Sequence, residues 1–229
     1  MTIFKFALKR ILRNPLSIIL GLLFPIGLLL IPGMWEEGGR GYYWLAFTLL
    51  ISAFPLTRGL TTDMRDRVVI RIMTTPTTML KYLTQNLLAC IVPIFAQILI
   101  IGIFGMVRYN WSFEVTLLLL ALYTLFSLTA IGLAYAWAFL FKKTDGEAGQ
   151  AIMMTLMIFM TMFGIFFPVD GLSGWQATMG MFFPTYWISI AIEELLYAGH
   201  FVTEMALPMG ILALFTIIFL LYGSKRGAY

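Results

Sequence analysis

Charged side chains cluster in one loop between two apolar stretches, and their spacing suits ionic contacts with a partner protein. Residues 63–83, DMRDRVVIRIMTTPTTMLKYL, hold two acids and four bases in a chain that is 61% hydrophobic and 11% charged. The first half predicts a short helix, because Met64, Val68 and Ile72 recur every four residues. Such a helix, lying outside a membrane, would bind a groove on a partner protein through ionic and apolar contacts. The alternative is a solvated loop whose charges only fix topology.

Two further signals define that predicted helix. Asp63 and Arg67 are spaced to pair across one helical turn. Thr75-Pro76 should end the helix, because the residue before proline disfavours helical geometry.

Reactive groups of other kinds are scarce. His200 is the only histidine, which argues against a histidine metal site and against a Ser-His-Asp triad. The sequence contains no G-x-x-x-x-G-K-[ST] phosphate loop. Polar residues in the middle of apolar segments, such as Gln97, are neutral, whereas ion-coupled carriers usually keep an ionisable group there. The chain therefore has no evident way to hydrolyse ATP or to use an ion gradient by itself.

Apolar runs of membrane-spanning length fill most of the 229 residues. About 20 apolar residues in a helix cross the roughly 30 Å core of a bilayer. We predict an all-α polytopic membrane protein with a single transmembrane domain over residues 1–229. The six predicted spans cover residues of about 16–34, 43–60, 83–107, 115–141, 148–168 and 205–222.

The distribution of charge predicts the orientation of these spans. An even number of spans places both termini and the loops at 61–82 and 142–147 on one side. That side holds 13 of the 15 bases and four of the 11 acids, a net charge of +9 against −5 opposite. The positive-inside rule then puts both termini in the cytoplasm. The short loops favour a bacterial cytoplasmic (inner) membrane, and the basic charge reports topology rather than nucleic-acid binding.

Residues 2–13 predict an amphipathic helix lying in the membrane interface. Four bases occupy one half of its helical wheel, so they would face anionic lipid. Asn14-Pro15 predicts a turn from this helix into the first span. The alternative is a basic flank that only orients that span. The apolar half consists of Ile3, Phe4, Ala7, Leu8, Ile11 and Leu12, the basic half of Lys5, Lys9, Arg10 and Arg13, with Phe6 among the bases.

The segment 169–204 lies between the last two spans on the outer side. It is too apolar for a solvated loop, and it is interrupted by Gly171, Gly174, Gly180 and Pro184. We predict one or two short re-entrant helices, with the aromatic side chains of Trp175, Tyr186, Trp187 and Tyr197 at headgroup level.

The order of these features resembles the permease subunits of type-2 ATP-binding-cassette exporters. The resemblance rests on LKRILRNPLSIILGLLFPIGLLL, on IRIMTTPTTMLKYLTQNLL and on FFPVDGL…FFPTYW. It implies two paired permease chains, identical or related, and a separate ATPase that binds the ATP and Mg, with no cofactor in this chain. It also implies that residues 63–73 form the coupling helix on that ATPase. The implied contact residues are Asp63, Met64, Arg65, Asp66, Arg67, Val68 and Arg71.

The resemblance further implies a substrate pathway between the second and fifth spans of the paired chains. Phenylalanine and methionine on the fifth span would give it an apolar, adaptable lining, which favours an amphiphilic or hydrophobic cargo such as a drug, an antimicrobial peptide or a lipid-linked molecule. Ordinary packing or lipid contact is the alternative role. The alternative functions are a membrane scaffold without transport and an intramembrane enzyme. The implied lining residues are Met153, Met157, Phe159, Met160, Phe163, Phe166 and Phe167.

Overall fold

The computed structural model describes residues 2–35, 40–66, 68–140, 146–198 and 204–226. Every longer regular element within these residues is helical, as predicted. A π-helical turn at Ile19–Leu23 joins α2 to α3, and two short helices, α9 and α10, precede the last helix. The α-helices are α1 Thr2–Arg13, α2 Pro15–Ile18, α3 Phe24–Leu29, α4 Gly41–Arg65, α5 Val68–Met73, α6 Met79–Tyr109, α7 Phe113–Leu140, α8 Gly146–Thr161, α9 Trp175–Gly180, α10 Pro184–Glu193 and α11 Ala206–Arg226.

Among the described residues, two stretches of helix are long and apolar enough to cross a membrane by themselves, Lys81–Tyr109 and Phe113–Trp137. A third candidate is the pair Ile3–Arg13 and Pro15–Leu29, which is bent by 80°. Three shorter apolar helices correspond to the second, fifth and sixth predicted spans. They cover Gly41–Thr57, Ala151–Thr161 and Ala206–Tyr222. The structure therefore supports two or three spans by length and composition, and the six-span topology stays a prediction.

The fifth predicted span, 148–168, is wrong in its last third, residues 162–168. Helix α8 ends at Thr161, and the chain then turns back on itself. Gly164 has a φ of 101°, a conformation that glycine adopts without the strain other residues would incur, and its N–H donates to the carbonyl of Phe167 at 3.1 Å. Hydropathy alone does not reveal such a turn, because the residues around it are as apolar as those of the helix.

The turn into the first span forms as predicted. Asn14 caps α2, accepting a hydrogen bond from Leu16 N at 3.1 Å, and Pro15 occupies the first helical position. The helix then passes through the π-helical turn just before Pro25, and regular α-helix ends at Leu29 rather than near residue 34. Proline removes one backbone hydrogen bond, and such a turn accommodates the loss.

Helix α7 lies at the centre of the fold and packs along α4, α6 and α11. Its side chains at Leu122, Phe126 and Ile131 have no exposed surface. The hydroxyls of Thr129 and Thr216 lie 2.8 Å apart and join α7 to α11. Buried polar groups of this kind satisfy each other where no water is available.

Helix α1 forms as predicted, but its apolar face contacts the chain rather than lipid. Ala7 and Ile11 are buried against α6 and α4, and the backbone N–H of Phe4 donates to the Gln85 side chain at 3.2 Å. Leu12, assigned to the apolar half, is 56% exposed instead. The apolar side of α1 therefore packs within the chain, and its basic half faces outward. Phe6, at 70% exposed, lies among those bases as predicted.

Two short helices, α9 and α10, form within the segment 169–204, whereas their re-entrant placement on the outer side stays a prediction. Helix α10 packs against α4, α7 and α11, and its residues Ile188 and Ile192 have no exposed surface. Tyr186 is buried, contrary to its predicted place at headgroup level, whereas Trp175 is exposed. His200 lies outside the described residues.

Candidate coupling site and substrate pathway

The charged loop consists of two pieces rather than one helix. Asp63 and its two successors are the last turn of α4, where the Asp66 N–H donates to the Thr62 carbonyl at 2.9 Å. A new helix, α5, begins at Val68. Arg67 lies outside the described residues. The prediction of a continuous helix over residues 63–73 is therefore wrong.

Asp63 forms its contacts inside the chain. Arg10 Nη1 donates to both carboxylate oxygens at 2.9 Å, and the Tyr82 hydroxyl donates to one of them at 2.6 Å. Arg10 Nη2 also donates to the Asn86 side chain at 3.4 Å. These four residues, which we call the Arg10 cluster, join α1, α4 and α6. The described partner of Asp63 is thus Arg10, and the predicted pairing with Arg67 stays a prediction. The Arg10 side chain is 41% exposed and that of Asp63 is 18% exposed.

Gly59 makes the Arg10 cluster possible. A Cβ atom at this position of α4 would overlap the Arg10 guanidinium. Glycine therefore lets Arg10 cross the surface of α4 and reach Asp63, at a cost in helix propensity of about 1 kcal/mol relative to alanine.

Helix α5 presents a mixed surface beside a groove. Ile70 is 63% exposed and Arg71 is exposed, while Val69 is buried. The hydroxyls of Thr74 and Thr75 donate to carbonyls of α5 at 2.7 and 2.6 Å, which closes its last turn. A cavity of about 370 Å³ separates α5 from α1 and α6. Its lining consists of Ile3, Val68, Arg71, Ile72, Thr75, Thr77, Lys81 and Gln85.

This arrangement can bind a protein surface. The exposed residues of α5 offer one apolar and one cationic contact, Ile70 and Arg71, on a helix whose end is fixed by hydrogen bonds. Among the residues that the structure describes, no three His, Cys, Asp or Glu side chains are grouped so as to hold a metal ion.

The residues predicted to line a pathway do not share one face. Three methionines and Phe163 are at most 6% exposed and so lie in the interior of this chain. Phe159 and Phe167 are 47% and 55% exposed. Phe166 follows the end of α8 and packs on Trp44, with ring centroids 5.6 Å apart. The three interior methionines are Met153, Met157 and Met160.

The turn after α8 is held by contacts with two other helices. Arg40 Nη1 donates to the Phe166 carbonyl at 2.8 Å, and the Thr185 hydroxyl of α10 donates to the Met160 carbonyl at 2.5 Å. The rings of Phe163 and Phe183 stack with centroids 5.2 Å apart. Movement of α8 would therefore act on α4 and α10 through side chains already in contact.

Glu193 is a half-buried acid that the sequence analysis did not place in a site. It ends α10 and accepts a hydrogen bond from the Tyr43 hydroxyl of α4 at 3.3 Å. Burial raises the pKa of its carboxyl above the ordinary value, the nearby charge of Asp170 raises it further, and the Tyr43 hydrogen bond opposes both. The sequence feature that could have indicated this residue is an acid at the end of an apolar run, PTYWISIAIE.

One protein family matches this chain over most of its length. The model of the ABC-2 family transporter proteins matches residues 39–225, which are 187 of the 229 residues and include α4 to α10 and nearly all of α11. None of the curated proteins compared with the chain matches it.

Proposed function

The chain belongs to the ABC-2 transporter family, and from that premise we propose that it is the permease subunit of an exporter. Family membership makes it a multi-pass membrane component of an ABC transporter, a class that works with an ABC ATPase subunit. In this proposal the ATPase is a separate chain that binds ATP and Mg, two permease chains pair, and both termini face the cytoplasm of a bacterial cell.

We assign the contact with the ATPase to α5 and the residues just before it. The observation that carries this assignment is the exposed Ile70 and Arg71 on a helix that follows α4 directly. A partner that moves α5 would therefore act on α4. Met64, Arg65, Asp66, Arg67 and Val68 stay in the proposed contact region, whereas Asp63 acts within the Arg10 cluster.

The proposed substrate pathway uses the exposed face of α8. Ile152, Ile158 and Phe159 are each 45–47% exposed, and the described side chains of α8 include no charged group. Paired chains would enclose such a surface, and an apolar lining favours an amphiphilic or hydrophobic cargo over a bare ion. The buried methionines then support this face from behind, which replaces their predicted role as lining.

The test is reconstitution of the chain with a candidate ATPase in proteoliposomes. We expect Arg71→Glu to lower the ATPase stimulation several-fold, because it reverses the exposed charge of α5, while expression and gel-filtration behaviour stay normal. Lys5→Glu is the matched control, since it reverses an exposed base on α1 that does not line the groove. Equal stimulation by the wild type and the Arg71 variant would contradict the α5 assignment. No ATP-dependent flux with any ATPase that binds would favour a membrane scaffold.

A further inference from the structure

The outward face of α1 carries bases that no described carboxylate neutralises. Within the described residues, the ion pair that forms is Arg10–Asp63. Lys9 and Arg13 are exposed, and no described carboxylate lies within 4.0 Å of either. They are four residues apart, so both project from the same side of the helix.

A cavity lies beside these bases at the bend between α1 and α2. Its volume is about 430 Å³, and it is open to the surroundings of the chain. Three cationic side chains and one large aromatic side chain line it. The lining residues are Phe6, Lys9, Arg10, Arg13 and Asn14.

The level of α1 along α6 places this cavity at a membrane boundary. Helix α1 contacts α6 through Gln85 and Asn86, which lie in the first turns of the apolar stretch Lys81–Tyr109. The 80° bend then sends the chain from α1 into the next apolar helix. A bilayer core crossed by this apolar stretch of α6 would therefore begin near the level of these bases.

We infer that this cavity binds the headgroup of an anionic phospholipid. Lys9 and Arg13 contact the phosphate, and Phe6, three residues before Lys9 on the same side of α1, packs on the glycerol and the first acyl carbons. An exposed phenylalanine among bases favours a lipid over an acidic protein surface, because only the lipid offers apolar contact directly beside its charge. The inference needs the cytoplasmic position of α1 but not the proposed contact with an ATPase.

The experiment measures lipid binding by native mass spectrometry of the purified full chain, titrated with phosphatidylglycerol and with phosphatidylcholine. Each base near a membrane surface contributes roughly fivefold in affinity for anionic lipid, so Lys9→Gln with Arg13→Gln should weaken phosphatidylglycerol binding about 30-fold. Binding of phosphatidylcholine should not change. The pair Lys9→Arg and Arg13→Lys should keep wild-type binding, which separates loss of charge from misfolding.

The matched control removes two exposed lysines that do not line the cavity. Lys5→Gln with Lys81→Gln changes the net charge equally and should leave phosphatidylglycerol binding near that of the wild type. An equal loss of phosphatidylglycerol binding in both double variants would show that surface charge acts non-specifically. That result would overturn the inference. Unchanged phosphatidylglycerol binding in the Lys9 and Arg13 pair would overturn it as well.

Phe6 distinguishes a lipid from a free phosphate. Phe6→Ala should weaken phosphatidylglycerol binding about tenfold, because it removes most of the apolar contact. Soluble glycerol phosphate should not displace the lipid at equal concentration. Displacement by glycerol phosphate, or equal lipid binding by the Phe6 variant, would identify a phosphate site without lipid specificity and contradict the inference.

Discussion

Replacing Asp63 with asparagine tests whether the Arg10 cluster stabilises the fold. The substitution keeps the size of the side chain but removes its charge. The Asp63 carboxylate accepts two hydrogen bonds from Arg10 at 2.9 Å and one from Tyr82 at 2.6 Å. A fully exposed ion pair contributes up to about 1 kcal/mol, whereas breaking a buried one costs about 3–5 kcal/mol. Asp63 is 18% exposed and Arg10 is 41% exposed. An intermediate cost of about 2 kcal/mol follows.

The assay is thermal unfolding of the purified chain in detergent, followed by tryptophan fluorescence. For a chain of this size, about 2 kcal/mol corresponds to a decrease in Tm of roughly 4–8 °C. Asp66→Asn is the matched control, because Asp66 is an exposed acid in the same segment. Its Tm should stay within about 1–2 °C of the wild type, since surface substitutions usually change stability by under about 0.5 kcal/mol.

A double-mutant cycle isolates the contribution of the ion pair. Arg10→Met keeps the aliphatic part of the side chain and removes the guanidinium. If the pair acts as the geometry indicates, the double variant should lose less stability than the sum of the two single losses. The difference should be about 1 kcal/mol or more. A coupling energy under about 0.5 kcal/mol is the ordinary scatter of independent sites. That result would refute the role assigned to the cluster.

The remaining predictions concern Gly59 and Glu193. Gly59→Ala should lower Tm, because the new methyl group displaces the Arg10 guanidinium from Asp63, and the loss should disappear in the Arg10→Met background. Gly27→Ala is its control, since a Cβ there meets no described atom within 4 Å. The raised pKa of Glu193 means that the folded chain holds this proton more tightly than the unfolded chain, so stability should fall as pH rises from about 4.5 through the folded pKa. In thermal melts recorded over a series of pH values, Glu193→Gln should remove that pH dependence and raise Tm at neutral pH. Glu114→Gln, which replaces an exposed acid, should do neither.

Uninterrupted apolar length made two helices predictable. The third and fourth predicted spans, 83–107 and 115–141, fall within a few residues of α6 and α7. The bend at Asn14-Pro15 was equally predictable, because a capping side chain followed by proline is a local signal that needs no tertiary contact. Where adjacent residues decide the structure, hydropathy and capping were sufficient.

Contacts between distant residues decided the rest. Arg10 and Asp63 are 53 residues apart, so a helical wheel of residues 2–13 shows Arg10 as one base among four. The exposed or buried state of the residues around the end of α8 depends on Arg40, Thr185 and Trp44, none of which lies near them in sequence. A stripe of phenylalanine and methionine therefore indicated an apolar segment correctly but could not indicate which of its side chains face outward.

The Arg10 cluster also limits how movement at α5 can reach the membrane helices. Helix α1 is held to α6 by packing of Ala7 and Ile11 in addition to hydrogen bonds, whereas its described polar link to the end of α4 is the Arg10–Asp63 pair. If the end of α4 moves with α5, either α1 and α6 must move with it or both this pair and the Tyr82–Asp63 hydrogen bond must open. Because the pair is partly exposed and so weaker than a buried one, opening it costs less than separating the packed face of α1 from α6. The end of α4 is therefore the part of this assembly that can move with α5 at the lowest cost.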